Sequence, residues 1–319
     1  MTTVFMFPGQ NSRYPGMLPK LAGLHPRNGE LLAEACGILN RDLFTHYRAD
    51  NDDAYSNNRD VQLGVFLANH MFLQILEDSG VRGDLSCGLS LGEWNHLVHI
   101  GALSFEDALR TVEQRGMAYD RGPRGAMASI FPLYVEELQK VVDRAKRTGL
   151  VEVVNLNSPR QNVVAGERPA VDETMRILDE EFFCEAVVID RQLPMHSSLF
   201  EPVGREFSRV LERLTFNRPK IPYLPNRTGE LLFTPDKDTF VELLTTHVYR
   251  PTLWRKSIDT IVESHPDATF VEVGPKAVLH NMLDKKWHRK PRLHTDSADV
   301  TDVHLRTVIE SLRFKSRAN

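Results

Sequence analysis

The chain has 319 residues, of which 41% are hydrophobic and 26% are charged, and its formal net charge at pH 7 is −4. This length and composition predict a globular protein with a large core, built as two domains or as one domain with an insertion. The small negative charge gives no general reason to expect nucleic-acid binding, and three widely spaced cysteines indicate neither a disulfide framework nor a zinc site.

The first half of the chain is predicted to contain a strand over residues 4–7, a helix over 61–76, a strand over 84–87, a helix over 91–98 and a helix from 104 to about 120. Apolar side chains at helical spacing predict the helix over 61–76, at Val61, Val65, Ala68, Phe72 and Leu76. Ser104, with Asp107 three positions later, resembles a capping box and predicts where the last of these helices begins.

The middle of the chain alternates strand and helix signals at shorter intervals. The predicted strands cover 128–132, 151–155, 161–165 and 184–189, and the predicted helices cover 135–147 and 170–180. The resulting order, βαββαβ, is that of a ferredoxin-like unit. We therefore predict an α/β fold in which a ferredoxin-like small domain, residues 128–190, is inserted into an α/β-hydrolase-like large domain, residues 1–127 and 191–319.

The large domain is predicted to resume with a helix that begins at His196. That helix is predicted to end near residue 214. After it we predict a Pro-rich strand over 221–225, a helix that starts at Pro251, a strand over 269–273 and a final helix from about residue 301. No apolar stretch approaches the roughly 20 residues that span a bilayer. The N-terminus has no signal-peptide pattern, so we expect a cytoplasmic protein with no membrane partner.

A nucleophile elbow is the clearest chemical signal in the chain. Residues 88–92 read G-x-S-x-G between a predicted strand and a predicted helix, which would hold the Ser90 hydroxyl exposed at a helix N-terminus. The backbone N–H of Leu91 would then point at an oxyanion on an acyl group attached to Ser90. The same pentapeptide also occurs in ordinary strand-to-helix turns, so this signal alone is moderately specific.

A serine nucleophile needs a base, because its hydroxyl reacts slowly until a neighbouring group takes the proton. Of the 12 histidines in the chain, His196 is the strongest candidate, because it lies where the small domain returns to the large one. The alternative is a histidine that only caps a helix.

An arginine is predicted to face the core on the helix after the elbow. Ala108, Val112, Arg115 and Tyr119 form one stripe of that helix, and the first two are apolar. A buried guanidinium is costly without an anion to meet it, which suggests a buried anionic partner for Arg115. The alternative is a snorkelling arginine, or one paired with an Asp or Glu of the chain.

Six short motifs together resemble the malonyl-CoA:acyl-carrier-protein transacylase family, whose members serve fatty-acid and polyketide synthases. They are Phe7-Pro8-Gly9-Gln10, Gly88-Leu89-Ser90-Leu91-Gly92-Glu93, Arg115-Gly116, Asn155-Leu156-Asn157-Ser158-Pro159, Pro194-Met195-His196-Ser197 and Val271-Glu272-Val273-Gly274-Pro275. The motifs follow the family order from residue 4 to about residue 285, which is nearly the whole chain.

The resemblance implies a Ser-His dyad. Ser90 would carry the acyl group as an ester, and His196 would act as general base and then as general acid. Backbone N–H groups of Gln10 and Leu91 would form the oxyanion hole, and the backbone carbonyl of His247 would orient His196. Such a dyad has no acidic third member, and neither a metal nor a bound cofactor is expected.

The resemblance also implies the substrates. Arg115 would pair with the free carboxylate of a malonyl-type group, and Leu89, Tyr119 and Met195 would contribute to the acyl pocket. Leu89 stands where most members have histidine. Met195 occupies a position whose residue type correlates with acyl size in polyketide acyltransferases, and methionine fits neither of the two usual categories. The resemblance therefore does not identify the acyl unit. The donor would be an acyl-CoA thioester, and the acceptor would be the phosphopantetheine thiol of an acyl carrier protein.

The leading hypothesis is an acyltransferase that moves a dicarboxylic acyl group from CoA to a carrier protein in two steps, acting in trans in polyketide synthesis. The first alternative is an acyl hydrolase, or a transferase of non-malonyl acyl groups, on the same scaffold. The second is an inactive subunit that only docks a carrier protein. A generic α/β-hydrolase esterase is disfavoured, because its triad would leave no role for Arg115 or for the motif that ends at Gln10.

Overall fold

Two four-stranded sheets form the frame of the protein in the computed structural model, which describes residues 2–283, 287–298 and 301–317. The strands are β1 (Thr3–Phe7), β2 (Leu85–Gly88), β3 (Ala126–Phe131), β4 (Val151–Leu156), β5 (Asn162–Gly166), β6 (Glu185–Asp190), β7 (Thr269–Glu272) and β8 (Arg292–His294). Residues 1, 284–286, 299–300, 318 and 319 of the predicted large domain lie outside the described residues.

Helices cover both faces of one sheet and one face of the other. They are α1 (Met17–Leu24), α2 (Pro26–Leu39), α3 (Leu43–His46), α4 (Asn58–Asp78), α5 (Gly92–His99), α6 (Phe105–Asp120), α7 (Val135–Ala145), α8 (Arg168–Glu181), α9 (Glu201–Leu211), α10 (Lys237–His247), α11 (Trp254–Ser264), α12 (Val278–Met282) and α13 (Thr301–Arg317). Within the described residues, none of the helices combines the length and apolar character needed to cross a membrane.

The parallel sheet has the strand order β2-β1-β7-β8. Every residue of β1 is buried, and successive side chains point to opposite faces. Phe5 and Phe7 pack into the cluster that contains α4, whereas Val4 and Met6 pack into the cluster that contains α11. Burial on both faces is what a parallel sheet with crossover helices requires.

The antiparallel sheet has the strand order β4-β5-β3-β6. On one face, Ala128 and Ile130 pack against α7 and α8. The elements from β3 to β6 follow the predicted βαββαβ order. The predicted boundary between residues 127 and 128 falls inside β3, however, because Ala126 already pairs with Gly166 of β5.

The predicted buried stripe on α6 is confirmed. Ser104 caps this helix, because its Oγ accepts a hydrogen bond from the backbone N–H of Asp107 at 3.0 Å. All four stripe residues are buried, namely Ala108, Val112, Arg115 and Tyr119. α6 packs against α4, the long helix that apolar spacing predicted.

The helix predicted to begin at His196 starts later. His196 has a left-handed backbone with φ +62°, and Ser197 is extended, so neither residue can belong to an α-helix. α9 starts at Glu201 after a short 3-10 turn, with a proline in its first turn.

Two further predictions about the second half of the chain are wrong. Residues 221–225 form no strand, because the prolines of this segment lack the N–H donors of a strand ladder. Only Tyr223 of this segment forms a β-bridge, which is an isolated one to Leu232. Pro251 lies three residues before α11. The intervening Thr252 is extended and donates its backbone N–H to Val154 of β4 at 2.8 Å.

Candidate active site

The elbow after β2 forces an unusual backbone on Ser90. Its φ is +52°, in the left-handed region that costs a non-glycine residue about 1 to 3 kcal/mol. A Cβ on Gly88 would lie 2.0 Å from the carbonyl oxygen of Gly92, and a Cβ on Gly92 would lie 2.0 Å from that of Phe7. Only glycine fits at both positions, so the two glycines permit the tight turn that presents Ser90.

The side chain of Asn226 holds this turn in place by hydrogen bonds to its backbone. Asn226 is not among the site residues that the sequence predicted. Its Oδ1 accepts the backbone N–H of Ser90 at 3.0 Å, and its Nδ2 donates to the carbonyl of Gly88 at 2.7 Å. Asn226 lies in a loop 136 residues after Ser90 in the chain. No motif or periodicity marks it, so only the tertiary structure could reveal it.

Ser90 and His196 are in hydrogen-bond contact. The Ser90 Oγ lies 2.9 Å from His196 Nε2, and the two residues are 106 positions apart in the chain. His196 Nδ1 lies 2.7 Å from the backbone carbonyl of His247. Because a carbonyl can only accept, Nδ1 carries the proton and Nε2 is left with the lone pair that faces the serine.

The surroundings of His196 favour its neutral form. Burial lowers the pKa of His196 well below its usual 6.5, and the nearby positive charge of Arg115 lowers it further. The hydrogen bond to the His247 carbonyl opposes this shift only in part. A neutral imidazole is the form that accepts a proton from serine.

We therefore expect Ser90 to react with an activated ester at a rate that stays constant from mildly alkaline pH down to below 6.5. Protonation of His196 removes the base, and a lowered pKa moves that loss to more acidic pH. The measurement is the second-order rate of Ser90 acylation against pH, followed by intact mass. A midpoint at or above 6.5 would contradict the assignment of a depressed pKa to His196.

The loops that contain Gln10 and Leu91 lie side by side next to Ser90. β1 and β2 are adjacent and parallel, so the loops after them, which contain Gln10 and Leu91, meet at the same edge of the sheet. The loops are close enough that a Cβ on Gly9 would lie 2.9 Å from the carbonyl oxygen of Leu89. Within the described residues, neither the backbone N–H of Gln10 nor that of Leu91 donates a hydrogen bond to another group of the chain.

Arg115 lies in a buried polar cluster behind the elbow. It is 2% exposed, its Nη1 donates to Gln62 Oε1 at 2.7 Å, and its guanidinium lies 4.3 Å from the centroid of the Tyr119 ring. Among the described residues its Nη2 has no hydrogen-bond partner, and burial lowers the pKa of Arg115. In the part of the chain that the structure describes, no Asp or Glu forms an ion pair with Arg115, so the alternative of an internal ion pair is not observed.

A cavity of about 170 Å³ opens over Ser90, between the elbow and the antiparallel sheet. Two of the predicted pocket residues, Leu89 and Met195, line it, and Gln10 Nε2 lies 3.5 Å from the sulfur of Met195. The side chains that face the elbow across the cavity are those of Met127, Ser129, Asn155, Asn157, Gln161, Val163 and Ile189. The polar members of this wall were not predicted as site residues.

Tyr119 does not line this cavity, which corrects its predicted place in the acyl pocket. Its ring is fully buried in the core, where it packs edge-on against Phe200 with ring centroids 5.2 Å apart. Arg115 is also absent from the cavity wall, because α6 presents both side chains to the interior of the large α/β part.

Comparison with known proteins assigns the chain to a family. Residues 4–313 match the model of the acyl transferase domain. The chain is 30% identical over 286 residues to the malonyl CoA-acyl carrier protein transacylase of Escherichia coli (strain K12), covering 88% of this chain and 91% of the relative. It is 28% identical over 310 residues to that of Bacillus subtilis (strain 168), covering 96% and 97%.

Solved structures agree with the sequence relatives. The malonyl CoA-acyl carrier protein transacylase from Clostridium perfringens superposes with a TM-score of 0.90 at 26% identity, covering 100% of this chain and 99% of that one. A malonyl-transacylase in complex with a type II PKS acyl-carrier protein superposes with a TM-score of 0.88 at 26% identity, covering 98% and 100%. The chain therefore belongs to the acyl transferase family that includes the malonyl CoA-acyl carrier protein transacylases, and it is an acyltransferase.

Proposed function

We propose that this protein moves a malonyl-type acyl group from CoA to the phosphopantetheine thiol of an acyl carrier protein, through an ester on Ser90. The observation that carries the proposal is the 2.9 Å contact between Ser90 Oγ and His196 Nε2 beside an open cavity. The names of the sequence relatives, which are malonyl CoA-acyl carrier protein transacylases, supply the donor and the acceptor.

In the first step, His196 Nε2 takes the hydroxyl proton of Ser90 while Oγ attacks the thioester carbonyl carbon. The negative charge that develops on the carbonyl oxygen is stabilised by the unused N–H groups of Gln10 and Leu91. When the tetrahedral intermediate collapses, the carbon–sulfur bond breaks. The proton on His196 passes to the departing CoA sulfur, and the acyl group remains as an ester on Ser90.

The second step reverses the first with a different thiol. His196 takes the proton of the phosphopantetheine thiol, whose sulfur attacks the ester carbonyl. Collapse of the second intermediate breaks the bond to Ser90, and the proton on His196 returns to Oγ. The carbonyl of His247 holds the Nδ1 proton in both steps, so His196 keeps one tautomer throughout. Both steps use only groups of this chain and its substrates.

Arg115 is proposed to select donors with a free carboxylate. Its buried Nη2, which has no hydrogen-bond partner among the described residues, supports this role, because the planar guanidinium then offers a second N–H group to a carboxylate. Arg115 does not line the cavity over Ser90. For the donor carboxylate to reach the guanidinium, the side chains between Arg115 and the cavity must move when the donor binds.

We expect Arg115→Ala to lower kcat/KM for malonyl-CoA about 30-fold or more, because removal of one partner of a buried charge pair costs about 2 kcal/mol or more. The rate with acetyl-CoA should stay constant or rise, because a neutral acyl chain leaves the guanidinium unpaired. Arg110→Ala is the matched control, since Arg110 is an exposed arginine of α6 that pairs with Glu106. An unchanged preference between the two donors would refute the carboxylate role.

The domain division is also a proposal. Residues 1–125 and 191–319 would form an α/β-hydrolase-like large domain, and residues 126–190 a ferredoxin-like small domain, so the first boundary moves back from the predicted residues 127 and 128 to the start of β3. The order β4-β5-β3-β6 and the two helices on one face of that sheet support the ferredoxin-like part. The elbow after β2 of the parallel sheet supports the hydrolase-like part.

We assign the enzyme, as a proposal, to polyketide synthesis, acting in trans on a separate carrier protein. The similarity to a malonyl-transacylase bound to a type II PKS acyl-carrier protein supports this assignment. Met195 lines the cavity and is a flexible side chain, which leaves room for malonyl groups of more than one size.

A further inference from the structure

Glu93 is a buried carboxylate that the mechanism above does not use. It lies in the first turn of α5, directly after the elbow, and is 1% exposed. Its Oε1 accepts hydrogen bonds from the hydroxyl of Tyr223 at 2.7 Å and from the backbone N–H of Asn226 at 3.1 Å. Its Oε2 lies 2.7 Å from Nδ1 of His247. The carboxylate thus joins three segments that are distant in sequence.

One of these contacts leads to Ser90. Asn226 donates its backbone N–H to Glu93, and its side chain spans the elbow from the N–H of Ser90 to the carbonyl of Gly88. The carboxylate therefore fixes the residue that holds the left-handed turn. Loss of this contact would free Asn226 and let the Ser90 backbone relax.

A second contact leads to His196. The His247 ring stacks on the His196 ring with centroids 4.8 Å apart and planes at 23°. The same ring is held at both nitrogens, by Glu93 at Nδ1 and by Thr252 Oγ1 at 3.2 Å from Nε2. Since the backbone carbonyl of His247 also accepts from His196 Nδ1, residue 247 supports His196 twice.

The charge state of Glu93 suits this arrangement. Burial alone would raise the pKa of Glu93, but the contact with His247 and the hydrogen bonds from Tyr223 and Asn226 keep its pKa below the usual value. Burial lowers the pKa of His247 despite the carboxylate. An ionised Glu93 thus lies with Oε2 2.7 Å from Nδ1 of a neutral His247, where the Nδ1–H faces the negative charge, and Nε2 is free to accept from Thr252.

We propose that Glu93 is a positioning residue for the proposed acyl transfer. Its carboxylate contacts neither Ser90 nor His196, and it holds Ser90 in place through Asn226 and His196 through His247. The proposal rests on the proposed function for its reaction and on the contacts above for its geometry. It gives the dyad an acidic member that acts through two intermediaries, whereas the resemblance implied none. Within the described residues, no Asp or Glu forms a hydrogen bond or ion pair with His196 itself.

Glu93→Gln tests the proposal with little change of shape. The amide oxygen can still accept from Asn226, but the amide nitrogen is a donor and meets the Nδ1–H of His247, so the support of His196 is lost. We expect kcat for transfer from malonyl-CoA to fall about 10- to 100-fold, with KM within about twofold of wild type. Tyr223→Phe is the control, because it removes a hydrogen bond from the same carboxylate and contacts neither dyad residue.

Two substitutions at His247 test the second contact separately. His247→Leu keeps the backbone carbonyl and removes the donor to Glu93, and it should lower kcat by a similar factor of about 10 or more. His247→Asn places an amide N–H where Nδ1 was, and it should restore most of the lost kcat. If Glu93→Gln retains wild-type kcat, or if Tyr223→Phe lowers kcat as much as Glu93→Gln does, the positioning role is refuted.

Labelling with a fluorophosphonate separates this proposal from the proposed function, because Ser90 reacts with that reagent without any thioester. The labelling rate should fall in Glu93→Gln and His247→Leu and not in Tyr223→Phe, whatever acyl group the enzyme prefers. Wild-type protein that labels normally but fails to use malonyl-CoA would refute the substrate and leave the positioning role standing. Melting temperatures of all four variants show whether lost rate follows lost stability, and such a correlation would overturn the proposal.

Discussion

Ser90→Ala should abolish the acyl-enzyme and lower malonyl transfer to a carrier protein by about 10⁴-fold to 10⁶-fold, because the nucleophile and its base act as one unit. The elbow places this hydroxyl, and no other, within hydrogen-bond distance of His196 among the described residues. Alanine keeps the Cβ and tolerates the same backbone strain, so the fold should survive. Intact mass after incubation with malonyl-CoA measures the covalent step directly.

Ser129→Ala is the matched control for this experiment. Ser129 lines the same cavity from β3, yet it has no hydrogen bond to a histidine among the described residues. Its loss should leave the mass increase of the protein unchanged. If Ser90→Ala gained the malonyl mass at the wild-type rate, the proposed ester would have to be placed elsewhere.

His196→Ala should lower both half-reactions by about 10⁴-fold, because neither the Ser90 hydroxyl nor the incoming thiol would then have a base. The residual rate should come from the oxyanion hole and substrate binding alone. The double variant with both His196→Ala and Ser90→Ala should have almost the same transfer rate as Ser90→Ala alone, since the effects of residues that act as a unit are not additive. Single-turnover acylation and carrier-protein unloading, measured separately, test both steps.

A partly buried histidine provides the control for lost stability. His70 lies in α4, where its ring stacks on that of Phe105 with centroids 4.6 Å apart and lies 6.3 Å from that of Phe66. His70→Ala removes a partly buried imidazole outside the cavity and should reduce the melting temperature while the transfer rate at room temperature stays within about twofold of wild type. Equal rate losses in the two histidine variants would remove the special role of His196.

Local patterns were sufficient for much of the fold. The apolar spacing of α4, the cap at Ser104 and the inward stripe of α6 depend on residues within a few turns of each other, so periodicity predicts them. The order of elements from β3 to β6 was predictable for the same reason. The predictions failed where backbone geometry is set by distant contacts, as at His196, whose N–H donates to Val248.

The sequence by itself determined the elbow, because Gly88 and Gly92 permit the close backbone contacts of the tight turn that presents Ser90. The sequence also identified Arg115 as a buried cation that needs an anionic partner. The tertiary structure alone decided how these groups are held. Asn226 and the Glu93 contact to His247 join segments more than a hundred residues apart, and no local pattern encodes such contacts. Their physical reason is packing: a buried carboxylate must have its hydrogen bonds satisfied, and only the folded chain brings those donors to it.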